Sequence, residues 1–446
     1  MDAKALIAKA VPLQRSNRHA EARELYRQVL AEEPRHASAL HLLGLSFAET
    51  QDFEQGLPLI EQAVSLRPKE TIFRVNLGVV FRRMGRFDRA RECFRAVIEQ
   101  NPLHGEAWSA LVESQRYSEA GSDLDAVLRA LEQVNDKTQQ RYLHFSAGKV
   151  LDDLGDYDRA FHHFSAGNAL GPQDFDAEAY LAACRNIADI FSPAFFSAGA
   201  DLGLPGPRPI FLVGMPRSGS SLLERILSQH SAVAAVGEVH DIAGIVSEMA
   251  KRFGDSAYPR CVANVPAEAY AGFAGAYLQR MASLVGSPEL RSVDKNLFNR
   301  MYVGTVRLMF PNAVIIHCQR SLLDTALSCF FQNFSSGQSF SFKLQHIAAS
   351  IEGCERLMAH WRDVLPGGIV TADYESLIRS PEATVRSLLS ESGLAWESDC
   401  LSYADKPGYV ATASSWQARQ PLYSHSLERW RNYEKHLGPL RELIDS

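Results

Sequence analysis

A 34-residue repeat in the first third of the chain constrains the fold more than any other feature, because repetition at this period builds stacked copies of one unit. Pro34, Pro68 and Pro102 are spaced by 34 residues, and the same offset links Gly44 to Gly78 and Phe53 to Phe87. Small Ala22, Gly56 and Ala90 keep step, as do bulky Tyr26, Ile60 and Phe94. Each unit reads as two amphipathic helices joined by a short turn. The small residues let paired helices approach, the large ones fill the space between them, and proline stops the second helix. A further unit lies in "GKVLDDLGDYDRAFHHFSAGNALGP", where Gly148, Tyr157, Ala160, Phe164 and Pro172 each fall 70 residues after Gly78, Phe87, Ala90, Phe94 and Pro102. Seventy is two periods plus two residues, which places a degenerate unit around residues 105–140. An all-α solenoid over residues 1–185 is the expectation, with its aromatics as core.

In period and residue pattern this region resembles tetratricopeptide repeats, a resemblance that implies recruitment of a polypeptide partner or acceptor. Around "FSPAFFSAGADLGLPGPRPI" the helical period stops and proline and glycine accumulate, so residues 186–207 read as a linker. From residue 208 to 446 the character changes. "PIFLVGM", "NAVIIHC" and "GIVTADYESL" are short apolar runs, the first two followed by the helical "SSLLERILSQH" and "LLDTALSCFF". Such alternation describes an α/β domain with a central parallel sheet, whose ligands bind beyond the carboxyl ends of the strands. The chemistry is expected just after Val213, just after Cys318 and near Tyr374.

"GMPRSGSS", residues 214–221, has the outline of a phosphate-binding loop in which Ser220 replaces the usual lysine. A glycine turn and the free amides of the next helix's first turn make an anion site. Without a lysine to reach β- and γ-phosphates, the loop suits a shorter anion, neutralised by Arg217 and bonded by Ser218, Ser220 and Ser221. "AVIIHC" runs into Gln319 and Arg320 rather than an aspartate, which disfavours a magnesium-dependent triphosphatase or kinase-like phosphotransferase.

A net charge of -6 gives no sign of a nucleic-acid surface. Seven cysteines stand singly, with no CxxC pair, so neither a disulfide framework nor a structural zinc site is expected. The histidines lack ligand spacing, and His317, inside an apolar run, reads as a buried, hydrogen-bonded residue rather than a ligand. No metal, no membrane span and no secretory leader are expected, which makes the cytoplasm the simplest location.

"PRSGSSLLERIL", "VGEVHDI", "DKNLFN", "FPNAVIIHCQRSLLDTALSCFFQNF" and "TASSWQARQPLYSHSLERW" follow in an order that resembles the sulfotransferase superfamily across residues 208–440. The pattern is similar to bacterial proteins that fuse tetratricopeptide repeats to a sulfotransferase domain, and to tyrosylprotein sulfotransferases. The resemblance implies 3′-phosphoadenosine 5′-phosphosulfate (PAPS) as donor and 3′-phosphoadenosine 5′-phosphate (PAP) as product, without a metal. It also implies that Arg217, Ser218, Gly219, Ser220 and Ser221 hold the 5′-phosphosulfate. Arg320 and Ser328, eight residues apart, match the residues that recognise the 3′-phosphate. Gln332 stands where the tyrosylprotein branch has another arginine, and Arg429 is the C-terminal contributor. Lys295 matches a lysine that contacts the transferring group, Ser414 a serine supporting the same transition state, and Tyr374 a tyrosine near the adenine or its phosphate.

Attack by a hydroxyl needs a general base, and Glu238 matches the glutamate of the tyrosylprotein branch, with His240 and Asp241 as competitors. The expected function is transfer of a sulfuryl group from PAPS to an acceptor hydroxyl, protein tyrosine among the candidates. The alternative is an interaction scaffold whose transferase domain is inactive. Acceptor identity and oligomeric state are not legible.

Overall fold

Each expected helical repeat ends where its proline stands. The helices His19–Glu32, Phe53–Leu66 and Phe87–Gln100 finish two residues before Pro34, Pro68 and Pro102. The computed structural model describes residues 2–16, 18–119, 121–198, 202–206, 208–254, 257–334, 337–403, 426–438 and 440. Of the described residues, those up to 170 make up one unit and those from 171 onward another.

In the first unit the partners of those three helices are Ala3–Arg15, Ala37–Glu49 and Thr71–Arg83. Glycine sets the closeness of the pairs. A Cβ on Gly78 would lie 2.5 Å from Phe94, and one on Gly148 would lie 2.9 Å from Phe164. The two contacts repeat the same fit one glycine and one ring at a time. Tyr26, Ile60 and Phe94 are fully enclosed, as are Ala22, Ala90 and Ala160. The degenerate unit is the short Gly105–Val112 helix with Gly121–Gln133, followed by Lys137–Asp153 paired with Tyr157–Ala169.

Burial in this unit also removes protons from histidines. His41 stacks on Phe73 with ring centroids 4.3 Å apart, and burial lowers its pKa to about 4. Burial and then His144, whose Nδ1 is 3.1 Å from His163 Nδ1, lower His163 to about 4. Both folded values lie below the unfolded value of about 6.5. Their neutral forms therefore contribute stability that is complete above pH 6.5 and is lost as pH falls toward 4. The full chain should show a falling Tm over this window, and His41→Gln should make the fall shallower. An unaltered slope in His41→Gln would contradict the assignment.

The second unit begins before the sequence boundary at 185. Its first long helix, Ala177–Ile190, packs on Leu344–Val364. Tyr180 lies so close to Gly353 that a Cβ there would be 2.5 Å from its ring. The phenol also accepts from Arg300 Nη2 at 3.2 Å. This helix has the amphipathic pattern of a repeat helix, but its partner is distant in sequence.

Five strands form a parallel sheet: β1 (Ile210–Gly214), β2 (Val233–Gly237), β3 (Arg291–Asp294), β4 (Val314–Gln319) and β5 (Ile369–Asp373), in the order β2-β3-β1-β4-β5. Gly214 pairs with Cys318, Gln319 with Asp373, and Gly237 with Asp294, so the carboxyl ends form one rim. Leu212 and Ile316 pack with Leu223 and Leu227 of the Ser220–Leu227 helix in one core. The chain leaves β1 for one edge, returns through β3, and continues beyond β1 with β4. This reversal places a crevice at the carboxyl end of β1. Among the described residues no helix is long and apolar enough to cross a membrane.

Candidate functional site

The loop after β1 turns through two left-handed residues, Arg217 at φ 70° and Gly219 at φ 90°. Left-handed backbone is costly for a residue with a side chain, and strain of this kind collects at ligand sites. Neighbours hold it in place: Arg217 Nε donates to Ser328 Oγ at 2.9 Å, and Arg320 Nη1 donates to the Arg217 carbonyl at 3.1 Å. Arg300, fully buried, donates to the Gly214 carbonyl at 3.1 Å. Gly219 sits against the Tyr374 ring, where a Cβ would lie 2.4 Å from the ring edge. Ser218 is 4% exposed and its Oγ has no hydrogen-bond partner, although a buried hydroxyl ordinarily finds one.

Arg320 follows β4 and Tyr374 follows β5, so each stands on the rim beside the loop. The Arg320 guanidinium lies 4.9 Å from the Tyr374 ring centroid. Arg320 Nη2 donates to the Ser426 carbonyl at 2.7 Å, and the Tyr374 hydroxyl and Ser426 Oγ are 2.8 Å apart. Buried Asp324 accepts from the backbone N–H groups of Glu428 and Trp430, each at 2.9 Å, which fixes the segment between them. Arg429, within that segment, lies 5.3 Å from the Phe331 ring centroid. Ser414 lies outside the described residues.

A second group of charges forms where β2 and β3 end. Glu238 follows β2, its side chain 59% exposed. Lys295 follows β3 and is 1% exposed; its Nζ donates to Glu238 Oε1 at 2.6 Å. Behind it stands Glu224, in the helix that follows the loop, with Oε2 3.8 Å from Nζ and a side chain 13% exposed. Burial acts to lower the Lys295 pKa, but Glu224 and Glu238 outweigh it and hold the amine above its usual range. Burial raises the Glu224 carboxyl although Lys295 opposes the shift.

The competing bases are engaged elsewhere. His240 Nδ1 is 3.2 Å from Asn296 Nδ2, and Asp241, in the first turn of the Asp241–Phe253 helix, is 3.8 Å from Arg280 Nε. His317 is 1% exposed, and burial followed by Arg362 lowers its pKa to about 3. Its Nδ1 accepts from Arg362 at 2.6 Å. With Cys354 and Glu355 it forms a group of donor atoms within 4.8 Å of one another. The guanidinium on the imidazole and a thiol raised by burial to about 12 oppose cation binding there.

The loop, Arg320, Ser328 and Tyr374 thus come together at one end of the rim, and Glu238 with Lys295 at the other. Sequence reasoning missed Glu224, Asp324 and Ser426. A signal for Glu224 existed, since positions 220, 224 and 227 share one stripe of a helix.

Comparison with known proteins agrees with this architecture. Residues 209–398 match the sulfotransferase family, and residues 8–71 and 75–133 match the tetratricopeptide repeat. An uncharacterized protein of Aquifex aeolicus (strain VF5) is 33% identical over 405 residues, covering 86% of this chain and 52% of that protein. The chain therefore spans about half the length of that relative. The Caenorhabditis briggsae protein named "Putative protein-tyrosine sulfotransferase" is 22% identical over 234 residues, covering 50% of this chain and 80% of that protein. Among solved structures, the sulfotransferase domain from the Synechococcus PCC 7002 olefin synthase aligns with a TM-score of 0.36 at 17% identity, covering 51% of this chain and 88% of that one. The second unit carries a sulfotransferase-family domain, and the first carries tetratricopeptide repeats.

Proposed function

We propose that the second unit moves a sulfuryl group from PAPS to an acceptor hydroxyl, with Glu238 as general base. The observation that carries the reading is the unpartnered, buried Ser218 Oγ in a glycine turn that has no lysine. A hydroxyl left bare inside a cradle of amides fits a single phosphate with its sulfuryl group. Arg320 Nε, also buried without a partner, fits a further anion beside the first. Arg217, Ser218, Gly219, Ser220 and Ser221 would hold the 5′-phosphosulfate. Arg320, Ser328 and Arg429 would hold the 3′-phosphate, and Tyr374 would lie near the adenine or its phosphate.

When bound, PAPS supplies a sulfuryl group on a phosphate leaving group. Transfer of this kind parallels phosphoryl transfer, whose transition state is loose and gains most from positive charge at the leaving oxygen. Arg217 and the loop amides serve that oxygen. Lys295, with Ser414, serves the group in transit. Glu238, exposed at the rim, takes the proton of the attacking hydroxyl. The repeat unit recruits the acceptor or a partner. A polypeptide acceptor bearing tyrosine is favoured by the name of the C. briggsae relative and by the repeats.

Saturating PAP should raise the Tm of the full chain by mass action. Arg320→Ala should weaken PAP binding by about 10–100-fold, the size of a lost charge-assisted hydrogen bond. Adenosine 5′-phosphate, which lacks the 3′ anion, should bind the variant and the wild type alike. No thermal shift with PAP would leave the scaffold reading in its place. Radiolabelled donor supplied with lysate fractions then identifies the acceptor as protein, sugar or lipid.

A further inference from the structure

We propose that Glu224 is a positioning residue for sulfuryl transfer: its carboxylate, carried on the loop's own helix, holds Lys295 in place and charged while Glu238 accepts the acceptor's proton. The inference rests on the function proposed above.

The geometry supplies two anions for one ammonium. Nζ of Lys295 lies 2.6 Å from Glu238 Oε1 and 3.8 Å from Glu224 Oε2, and Glu224 Oε1 is buried without a hydrogen-bond partner. The two carboxylates differ in kind. Glu238 is 59% exposed on the rim, where an acceptor can reach it, whereas Glu224 is 13% exposed beneath it. Glu224 therefore cannot act on an acceptor directly, and Glu238 cannot keep its charge through the reaction.

In the step itself, the acceptor oxygen forms a bond to sulfur as its proton passes to a Glu238 carboxylate oxygen. The bond from sulfur to the bridging oxygen breaks, and the electron pair stays on the 5′-phosphate of PAP. Lys295 keeps its proton throughout. Glu238 becomes neutral at that moment and ceases to balance the buried ammonium. A buried cation without a counter-charge is strongly disfavoured. Glu224 is the group left to balance it, with Oε2 3.8 Å from Nζ, about 1 Å beyond hydrogen-bond distance.

The groups that face Lys295 come from every neighbouring element. They are Glu224 after the loop, Glu238 after β2, Asp294 preceding it on β3, and the buried thiol of Cys318 on β4. Asp294 accepts from the Tyr277 hydroxyl at 3.0 Å and from the Asn296 N–H at 2.9 Å, and burial raises it to about 7. Its bonds commit it away from the amine. Glu224 is the carboxylate with an oxygen to spare.

The test compares the full-length wild type, Glu224→Gln and Glu224→Asp. Glu224→Gln should bind PAP within about twofold of wild type, because the loop that holds PAP is intact. Its kcat should fall by about 10–100-fold. The alkaline limb of its kcat/KM profile should move down by at least about one pH unit, since a lysine that must stay protonated has lost one of its anions. Glu224→Asp, which keeps the charge, should restore most of that limb. A kcat loss with an unmoved limb, or a wild-type profile in Glu224→Gln, overturns the inference. A second readout does not depend on turnover. The Lys295 side-chain resonance of the full chain, assigned by its loss in Lys295→Arg, should titrate at lower pH in Glu224→Gln. Unchanged titration there also overturns the inference. Lack of PAP binding and transfer in the wild type would instead overturn the underlying function, while the lysine titration still decides whether Glu224 holds the charge.

Discussion

Glu238→Gln should reduce turnover by about 10²–10⁴-fold and leave PAP binding unchanged, if Glu238 is the general base proposed above, since this is the range such a base contributes. The separation of the two effects comes from the rim. Glu238 follows β2, and the loop that would hold PAP follows β1, with β3 between them. Glutamine keeps an oxygen where Oε1 now accepts from Lys295 at 2.6 Å, so the lysine is not released by the change. The basicity is what disappears. Transfer measured with radiolabelled donor gives the turnover, and a thermal-shift titration gives PAP binding. Wild-type turnover in Glu238→Gln would pass the role to His240 or Asp241. Each would first have to leave its present partner, Asn296 for the histidine and Arg280 for the aspartate.

What could be read in the chain beforehand follows how locally each feature is encoded. The repeats were legible because a proline, a glycine and a ring recur at fixed offsets, and each offset corresponds to one contact, as Gly78 to Phe94 shows. β1 and β4 were legible because nearly all their residues are buried, which makes an unbroken apolar run. β2 and β3 were not. β2 is built of small residues that are half-buried after Val233, and β3 has four residues with Val293 its one aliphatic. Their ends were nevertheless marked, since Glu238 and Lys295 belong to motifs that the resemblance singles out.

Partners brought together from distant segments were the part that sequence could not supply. Glu224 reads as an ordinary helix charge until β3 brings Lys295 behind it. Ser328, matched to the 3′-phosphate, accepts from Arg217, which ties the two halves of the expected donor site to each other. Asp324 reads as a first-turn acid of the Leu322–Phe330 helix, but its carboxylate is bonded to backbone more than a hundred residues further on. The helix Ala177–Ile190 looks like one more repeat because amphipathicity records a buried face without naming what covers it.

Gly219→Ala should weaken PAP binding by at least about 100-fold, with turnover falling alongside. Two costs combine at this position. The backbone is left-handed at φ 90°, which is worth about 1–2 kcal/mol against alanine. The added methyl would also lie 2.4 Å from Cδ2 and 3.1 Å from Cε2 of Tyr374, well inside contact distance. The ring has little room to retreat. It is 9% exposed, its hydroxyl is 2.8 Å from Ser426 Oγ, and the Arg320 guanidinium lies 4.9 Å from its centroid. The loop therefore moves instead, and its amides and the Ser218 hydroxyl leave the positions that would meet an anion. Gly272→Ala is the control, since a Cβ at that helical glycine meets nothing within 4 Å. It should bind PAP as wild type and be slightly more stable, alanine being the better helix former. Calorimetric titration of both variants with PAP decides the matter. Wild-type affinity in a folded Gly219→Ala protein would remove the turn between β1 and its helix from the donor site, and the reading of Ser218 would fall with it.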